Sequence, residues 1–191
     1  MDAATLLSAA QRLKPLKQGD QDSLCCLYSI INAIRLALHP EITLDHGQTR
    51  SLFVEGIHFL SHADALLDTI EAGMDPPLWL KLCRELTKHV SQTTGVQVHR
   101  TPLLSGLGRL RPHKVLNAIQ GSLDRGAPVL LMLMGGYDHC SIAVGMTEHR
   151  MLLFDSGRLK WVKRANLGLY RSGVTSLHQI APASVVSLSR R

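Results

Sequence analysis

Cys25 directly follows a polar, cap-rich loop, Lys17-Gln18-Gly19-Asp20-Gln21-Asp22-Ser23, and starts a long apolar run. If that run is a helix, its first turn offers unpaired N–H groups and a partial positive charge. Both favour thiolate over thiol, and the same amides can receive the oxyanion of an acyl-transfer intermediate. Alone, a cysteine in an apolar segment reads as a small core residue. His139 follows the turn Gly135-Gly136-Tyr137-Asp138 and opens the apolar stretch Cys140–Gly145, so its ring sits at the mouth of a strand and can face a cleft. Asp155 ends the next candidate strand, 16 positions later. For antiparallel neighbours joined by a short turn, that offset brings both side chains to one end of the sheet. A carboxylate there accepts the imidazole N–H, fixes the tautomer and stabilises the imidazolium. Taken singly, Asp155-Ser156-Gly157 is also an ordinary turn. The chemistry of all three together is acyl transfer by an activated thiolate.

Positioning these groups falls to the surrounding elements. Residues 3–13 read as a short amphipathic helix ended by Pro15. Leu24 to Leu38 is apolar nearly throughout and stops at His39-Pro40, so it predicts a buried central helix, with Asp22 and Ser23 as candidate caps. Residues 50–72 and 77–94 predict two more helices, separated by Gly73-Met74-Asp75-Pro76-Pro77. Past Gly95, Val96–Thr101 alternates like a strand, and His113–Arg125 reads as a helix closed by Gly126. Four strands follow, Val129–Met134, His139–Met146, Met151–Asp155 and Leu159–Lys163, with turn residues between them. Helices first and an antiparallel meander last predict an α+β fold. A single domain over 1–191 is expected, with a helical half at about 1–95 and a sheet half at about 96–191.

Composition narrows the function. With 45% hydrophobic residues the chain of 191 can build one core, and with only three Phe, three Tyr and two Trp that core is aliphatic. The excess of 21 basic over 15 acidic residues is spread along the chain rather than gathered in an aromatic-laced stripe, so no nucleic-acid partner is expected. The longest apolar run, Val129–Met134, is too short to span a bilayer, and MDAATLLSAAQRLK lacks the basic start of a signal peptide. No membrane partner and a cytoplasmic setting are expected. The cysteines Cys25, Cys26, Cys83 and Cys140 form no CxxC pair and no zinc-ligand spacing, and adjacent Cys25 and Cys26 are poor disulfide partners. A reducing compartment, which keeps a thiol available, follows as the default. Cys83 and Cys140 read as packed core residues. His58 and His62 share a helix face without a third ligand, so no metal and no cofactor are expected.

The segment Gln18-Gly19 … Cys25-Cys26-Leu27-Tyr28-Ser29-Ile30-Ile31-Asn32-Ala33 resembles the papain-like signature, in which a Gln-Gly pair precedes the nucleophile and an aromatic and a Ser follow it. The segment Gly126-Ala127-Pro128-Val129 … Asp138-His139-Cys140-Ser141-Ile142-Ala143-Val144-Gly145 … Phe154-Asp155-Ser156-Gly157 resembles the double-glycine leader peptidases of that superfamily. The likeness covers roughly residues 16–38 and 112–163 and leaves the helical stretch 45–95 unmatched. It implies a central helix carrying the cysteine, packed on an antiparallel sheet carrying His and Asp. It also implies Cys25 as nucleophile, since Tyr28 and Ser29 then fall at the family's offsets, whereas Cys26 shifts both by one. His139 becomes general base and acid, Asp155 its orienting group, and Gln18 an oxyanion donor beside the Cys25 backbone N–H. Gln18 stands seven residues before Cys25 where the family has six, which leaves Gln21 as the other candidate. The implied activity is a cysteine peptidase or related thiol acyl hydrolase acting on a peptide or protein substrate. Deamidation or acyl transfer would use the same triad. The alternative is a non-catalytic papain-like module that binds a partner protein, for which the helical segment 50–94 is the candidate surface.

Overall fold

A helix that is apolar all round has no face to give to water, and α2 (Cys25–Leu38) lies at the centre of the molecule with Leu27, Ile30, Ile31, Ile34 and Leu38 fully buried. The computed structural model describes residues 5–19, 22–106, 110–170 and 176–190. Before α2 come β1 (Thr5–Leu6) and α1 (Ser8–Arg12); after it come α3 (His46–His62), α4 (Leu66–Ala72) and α5 (Pro76–Thr94). Next follow β2 (Val98–Pro102), α6 (Pro112–Asp124), β3 (Val129–Gly135), β4 (His139–Met146), β5 (Arg150–Leu153) and β6 (Trp161–Lys163). The chain ends with β7 (Leu167–Leu169), β8 (His178–Ile180) and β9 (Val186–Arg190). Helices dominate the first half and antiparallel strands the second: an α+β arrangement. The main path of the sheet runs β2-β9-β3-β4-β5-β6. β3 is buried at every position from Val129 to Leu133, so both faces of the sheet are covered there, and α2 and α6 both pack against β3 and β4. Among the described residues no helix is long and apolar enough to cross a membrane.

Several expected boundaries shift, each for a local reason. The helix expected over 3–13 is only α1, because Thr5 and Leu6 pair with Met146 and Gly145 of β4. The helix expected over 50–72 starts earlier, where Asp45 and Gln48 form a capping box, and breaks after His62, with Asp64 at φ 52°. The break turns α4 so that its last carbonyls meet the loop before α2: Ser23 N–H donates to Ile70 O at 3.0 Å. Ser23 is thus held by α4 rather than capping α2. Asp22 Oδ1 accepts from Leu24 N–H at 2.9 Å, just before the helix, and α2 has no side-chain cap. α5 begins as expected at a proline pair, with Asp75 Oδ1 accepting from Leu78 N–H, and ends at Gly95 in the left-handed region (φ 75°). The last strand, β9, inserts between β2 and β3.

One buried polar group ties the N-terminal segment to the central helix. Asn32 on α2 has no exposed surface, and its side chain accepts from Leu16 N–H (2.8 Å) and donates to Leu16 O (3.0 Å). Arg35 Nη1 donates to Asn32 Oδ1 and to Lys14 O, which fixes the same stretch. Replacing Asn32 by alanine leaves both Leu16 backbone groups without partners and is expected to cost about 1–3 kcal/mol in equilibrium urea unfolding. An unchanged unfolding midpoint would mean that the clasp contributes nothing.

Candidate active site

Side chains alternate along a strand, so His139, Ser141 and Ala143 share one face of β4. Ala143 lies opposite Leu153 on β5, and continuing that register past the end of the strand brings Asp155 opposite Ser141, one diagonal from His139. The side chains meet as the register requires. His139 Nε2 is 2.8 Å from Asp155 Oδ2, and Ser141 Oγ donates to the same oxygen at 2.6 Å. A carboxylate only accepts, so Nε2 carries the hydrogen. The other carboxylate oxygen, Oδ1, accepts from Gly157 N–H at 2.8 Å. Asp155 is 5% exposed, and every hydrogen bond on it favours the charged form.

Cys25, the first residue of α2, lines the same hollow as His139 and lies near enough to act on its ring. With Nε2 committed to Asp155, the ring nitrogen left for the thiol is Nδ1. Burial of His139 works against its protonation, but hydrogen bonds to Asp155 and Cys25, and the charges of both, outweigh it and raise the ring to about 10. Burial likewise works against an Asp155 carboxylate. His139, by hydrogen bond and charge, and the Ser141 and Gly157 bonds outweigh it and hold Asp155 below the usual range. The two shifts point the same way, towards an imidazolium held between a carboxylate and a sulfur.

Two hollows meet at His139, Cys25 lines the first of them, and Asp155 lies behind the histidine. One, of about 450 Å³, is lined by Cys25, Met74, Met132, Met134, Asp138 and Tyr170 among others. The second, of about 440 Å³, is lined by Lys17, Gln18, Gly19, Ser156, Gly157 and Arg158 with His139. Gln18 therefore sits beside the histidine rather than in the chamber that Cys25 lines. Its backbone N–H donates to Ser156 O at 3.0 Å, and its side-chain amide donates to the Asp22 carbonyl. One N–H of that amide is thereby used, and the second is left. Gln21 lies outside the described residues.

No family model matches the chain, and no curated protein matches it. What the site can do is therefore read from its own atoms.

Cysteine pairing departs from the expectation of free thiols throughout. Cys26 and Cys140 form a disulfide across 114 residues, while Cys25 and Cys83 are free. The reason is geometric: α2 crosses β4 at their first residues, with Cα atoms of the pair 5.0 Å apart, well inside bridging range. A closed disulfide removes the support that the expectation of a reducing, cytoplasmic setting drew from the cysteines. The sulfurs of Cys25, Cys26 and Cys140 all lie within 4.8 Å of one another. With two of them bonded together, the cluster offers a metal one thiol sulfur, fewer than the three or four protein ligands of a zinc site. Cys83 is 1% exposed, and burial pushes its thiol up to about 12, as befits an inert core group.

Sequence reading did not single out Ser141, Gly157, Asn32 or the Cys26–Cys140 bond. The period-2 alternation places Ser141 on His139's face and was the available signal for it. Gly157 leaves little room for a side chain: a Cβ there would stand 3.1 Å from Asp155 Oδ1, so that carboxylate would have to give by a few tenths of an ångström.

Proposed function

We propose that the chain is a papain-like cysteine peptidase or closely related thiol acyl hydrolase, with Cys25 as nucleophile, His139 as base and acid, and Asp155 as the group that orients the histidine. The observation that carries this reading is that Cys25, at the first turn of a buried helix, shares a hollow with His139, whose Nε2 is hydrogen-bonded to Asp155. The reacting form pairs the Cys25 thiolate with the His139 imidazolium, whose proton Asp155 helps to hold. The thiolate attacks the substrate carbonyl carbon, and the C=O electron pair moves onto oxygen, which meets the Cys25 backbone N–H at the helix start. Collapse expels the amine, which takes the proton from His139, and leaves a thioester. His139 then takes a proton from water, hydroxide adds to the thioester carbonyl, and Cys25 leaves as thiolate. Gln18 supplies the second oxyanion donor if its free N–H swings towards the chamber. Transfer to another amine, or deamidation, follows the same steps with a different nucleophile or leaving group.

The competing reading, a binding module of the same fold, draws on Gln18, whose amide serves the Asp22 carbonyl and whose side chain lies outside the Cys25 chamber. A peptide-based epoxide or acyloxymethyl ketone separates the two. Covalent capture on Cys25, together with hydrolysis of a mixed peptide pool, supports the enzyme. Absence of both, with a correctly folded protein, supports the module.

The titrations give this reading a pH signature. His139 loses its proton at about 10 rather than an ordinary 6.5, so the alkaline limb of kcat/KM is expected near pH 10. Asp155→Asn removes the main groups holding that proton and is expected to bring the limb down by two pH units or more. A limb that does not move would contradict the role given to Asp155. Stability carries the opposite signs for the two partners. His139, raised on folding, contributes fully below about pH 6.5 and loses that contribution as pH climbs towards about 10. Asp155, lowered on folding, contributes above its ordinary 3.8 and loses that contribution as pH falls through its folded value.

A further inference from the structure

The disulfide joins the two residues that flank the reacting pair. Cys26 is the neighbour of Cys25 on α2, and Cys140 is the neighbour of His139 on β4. Successive side chains diverge by about 100° on a helix and point to opposite faces on a strand. A bond between positions 26 and 140 therefore fixes both the height and the rotation of α2 against β4 at the level where Cys25 meets His139. α2 begins without a side-chain cap, and β4 begins just after a Gly-Gly turn with Asp138 at φ 43°. Both bridging cysteines are 2% exposed, and both line the hollow that Cys25 and His139 share. Two separate thiols need more room than one bonded pair, so opening the bond displaces the wall of that hollow beside the reacting pair.

We infer that the Cys26–Cys140 disulfide is a positioning staple for the Cys25–His139 pair, so that reduction of this bond slows the chemistry at Cys25. The inference rests on the function proposed above. It reverses the usual behaviour of a thiol hydrolase, which keeps or gains activity in reductant. Opening requires two electrons from a reductant: a phosphine and water convert the disulfide to two thiols and are themselves converted to the phosphine oxide. Misplacing reacting groups by about an ångström costs on the order of a hundredfold in rate, so a loss of tenfold or more is expected.

The test uses the full chain, assayed well below its unfolding temperature. Cys25 is alkylated with iodoacetamide at pH 7, and the modified residue is identified by tandem mass spectrometry, before and after treatment with tris(2-carboxyethyl)phosphine and desalting. The double variant Cys26→Ala/Cys140→Ala is measured alongside. The expected result is fast alkylation of Cys25 in the untreated protein, at least tenfold slower alkylation after reduction, recovery on reoxidation, and a slow rate in the double variant that reductant does not change. Fast, His139-dependent alkylation that reduction leaves unaltered would overturn the staple and leave the proposed function standing. Slow, His139-independent alkylation in the untreated protein would overturn both. A mapped Cys25–Cys140 bond in the untreated protein would overturn the staple, since the nucleophile itself would then be blocked.

Discussion

Replacing His139 by alanine is expected to slow hydrolysis about a thousandfold or more while leaving the protein folded. On the proposed mechanism the histidine has two duties that nothing nearby can assume: it faces the attacking sulfur of Cys25, and it passes the proton to the departing amine. Removing it does not strand the buried carboxylate. Asp155 keeps Ser141 Oγ on Oδ2 and Gly157 N–H on Oδ1, so the penalty for an unpaired buried charge is largely avoided. Steady-state kinetics should place the loss in kcat, with a near-normal circular dichroism spectrum and a thermal midpoint shifted by only a few degrees. Retained kcat would remove His139 from the mechanism. A collapse of structure would mean that the ring is there to hold the fold.

Removing the disulfide is expected to have the largest effect on stability. Cys140→Ser opens a loop spanning 114 residues. In the chain-entropy account a bridge over a loop of that size contributes about 2–5 kcal/mol, chiefly by restricting the unfolded chain. For a chain of 191 residues this corresponds to a fall in Tm of roughly 10 °C under non-reducing conditions. The same fall should appear in the wild-type protein on adding reductant, and the variant should be insensitive to it. Equal Tm values for wild type and variant in non-reducing buffer, with four titratable thiols in the denatured wild type, would show that the bond does not form in solution.

Much of the scaffold was legible because its signals are local. The unbroken apolar run of α2, the proline start of α5 with its Gly95 stop, and the strand–turn rhythm from Val129 to Lys163 each declare themselves within a few residues. Spacing set His139 and Asp155 on one short hairpin and Cys25 at a helix start, and the resemblance to the papain-like pattern joined the three. What escaped depends on distant partners. β9 has the alternation of a strand in Val186-Ser187-Leu188-Ser189, but its place between β2 and β3 is decided by residues far away in the chain. The break between α3 and α4 falls at Ala63-Asp64-Ala65, residues without a strong stop signal, and it brings Ile70 O to Ser23 N–H, a partner far back in the chain. Disulfide connectivity cannot be read from four cysteines, so Cys140 reads as an ordinary core residue, and Cys26 as the rival to Cys25, until α2 and β4 are seen to cross. The Asn32 clasp was hidden for the same reason: a polar residue in an apolar helix gives no hint that its partner is the backbone of Leu16. Gln18 fits the pattern in kind, yet its extra residue of spacing accompanies a side chain that lies beside His139.

The proposed nucleophile can be tested most directly by the second-order rate constant for iodoacetamide on Cys25 at pH 7, measured by peptide mapping in the wild type and in His139→Ala. The expected result is a rate well above that of an unstructured cysteine peptide in the wild type, with buried Cys83 unmodified, and a fall of at least tenfold in the variant. A rate on Cys25 no greater than that of the peptide, and the same in both proteins, would contradict the assignment of Cys25 and His139 as a working pair.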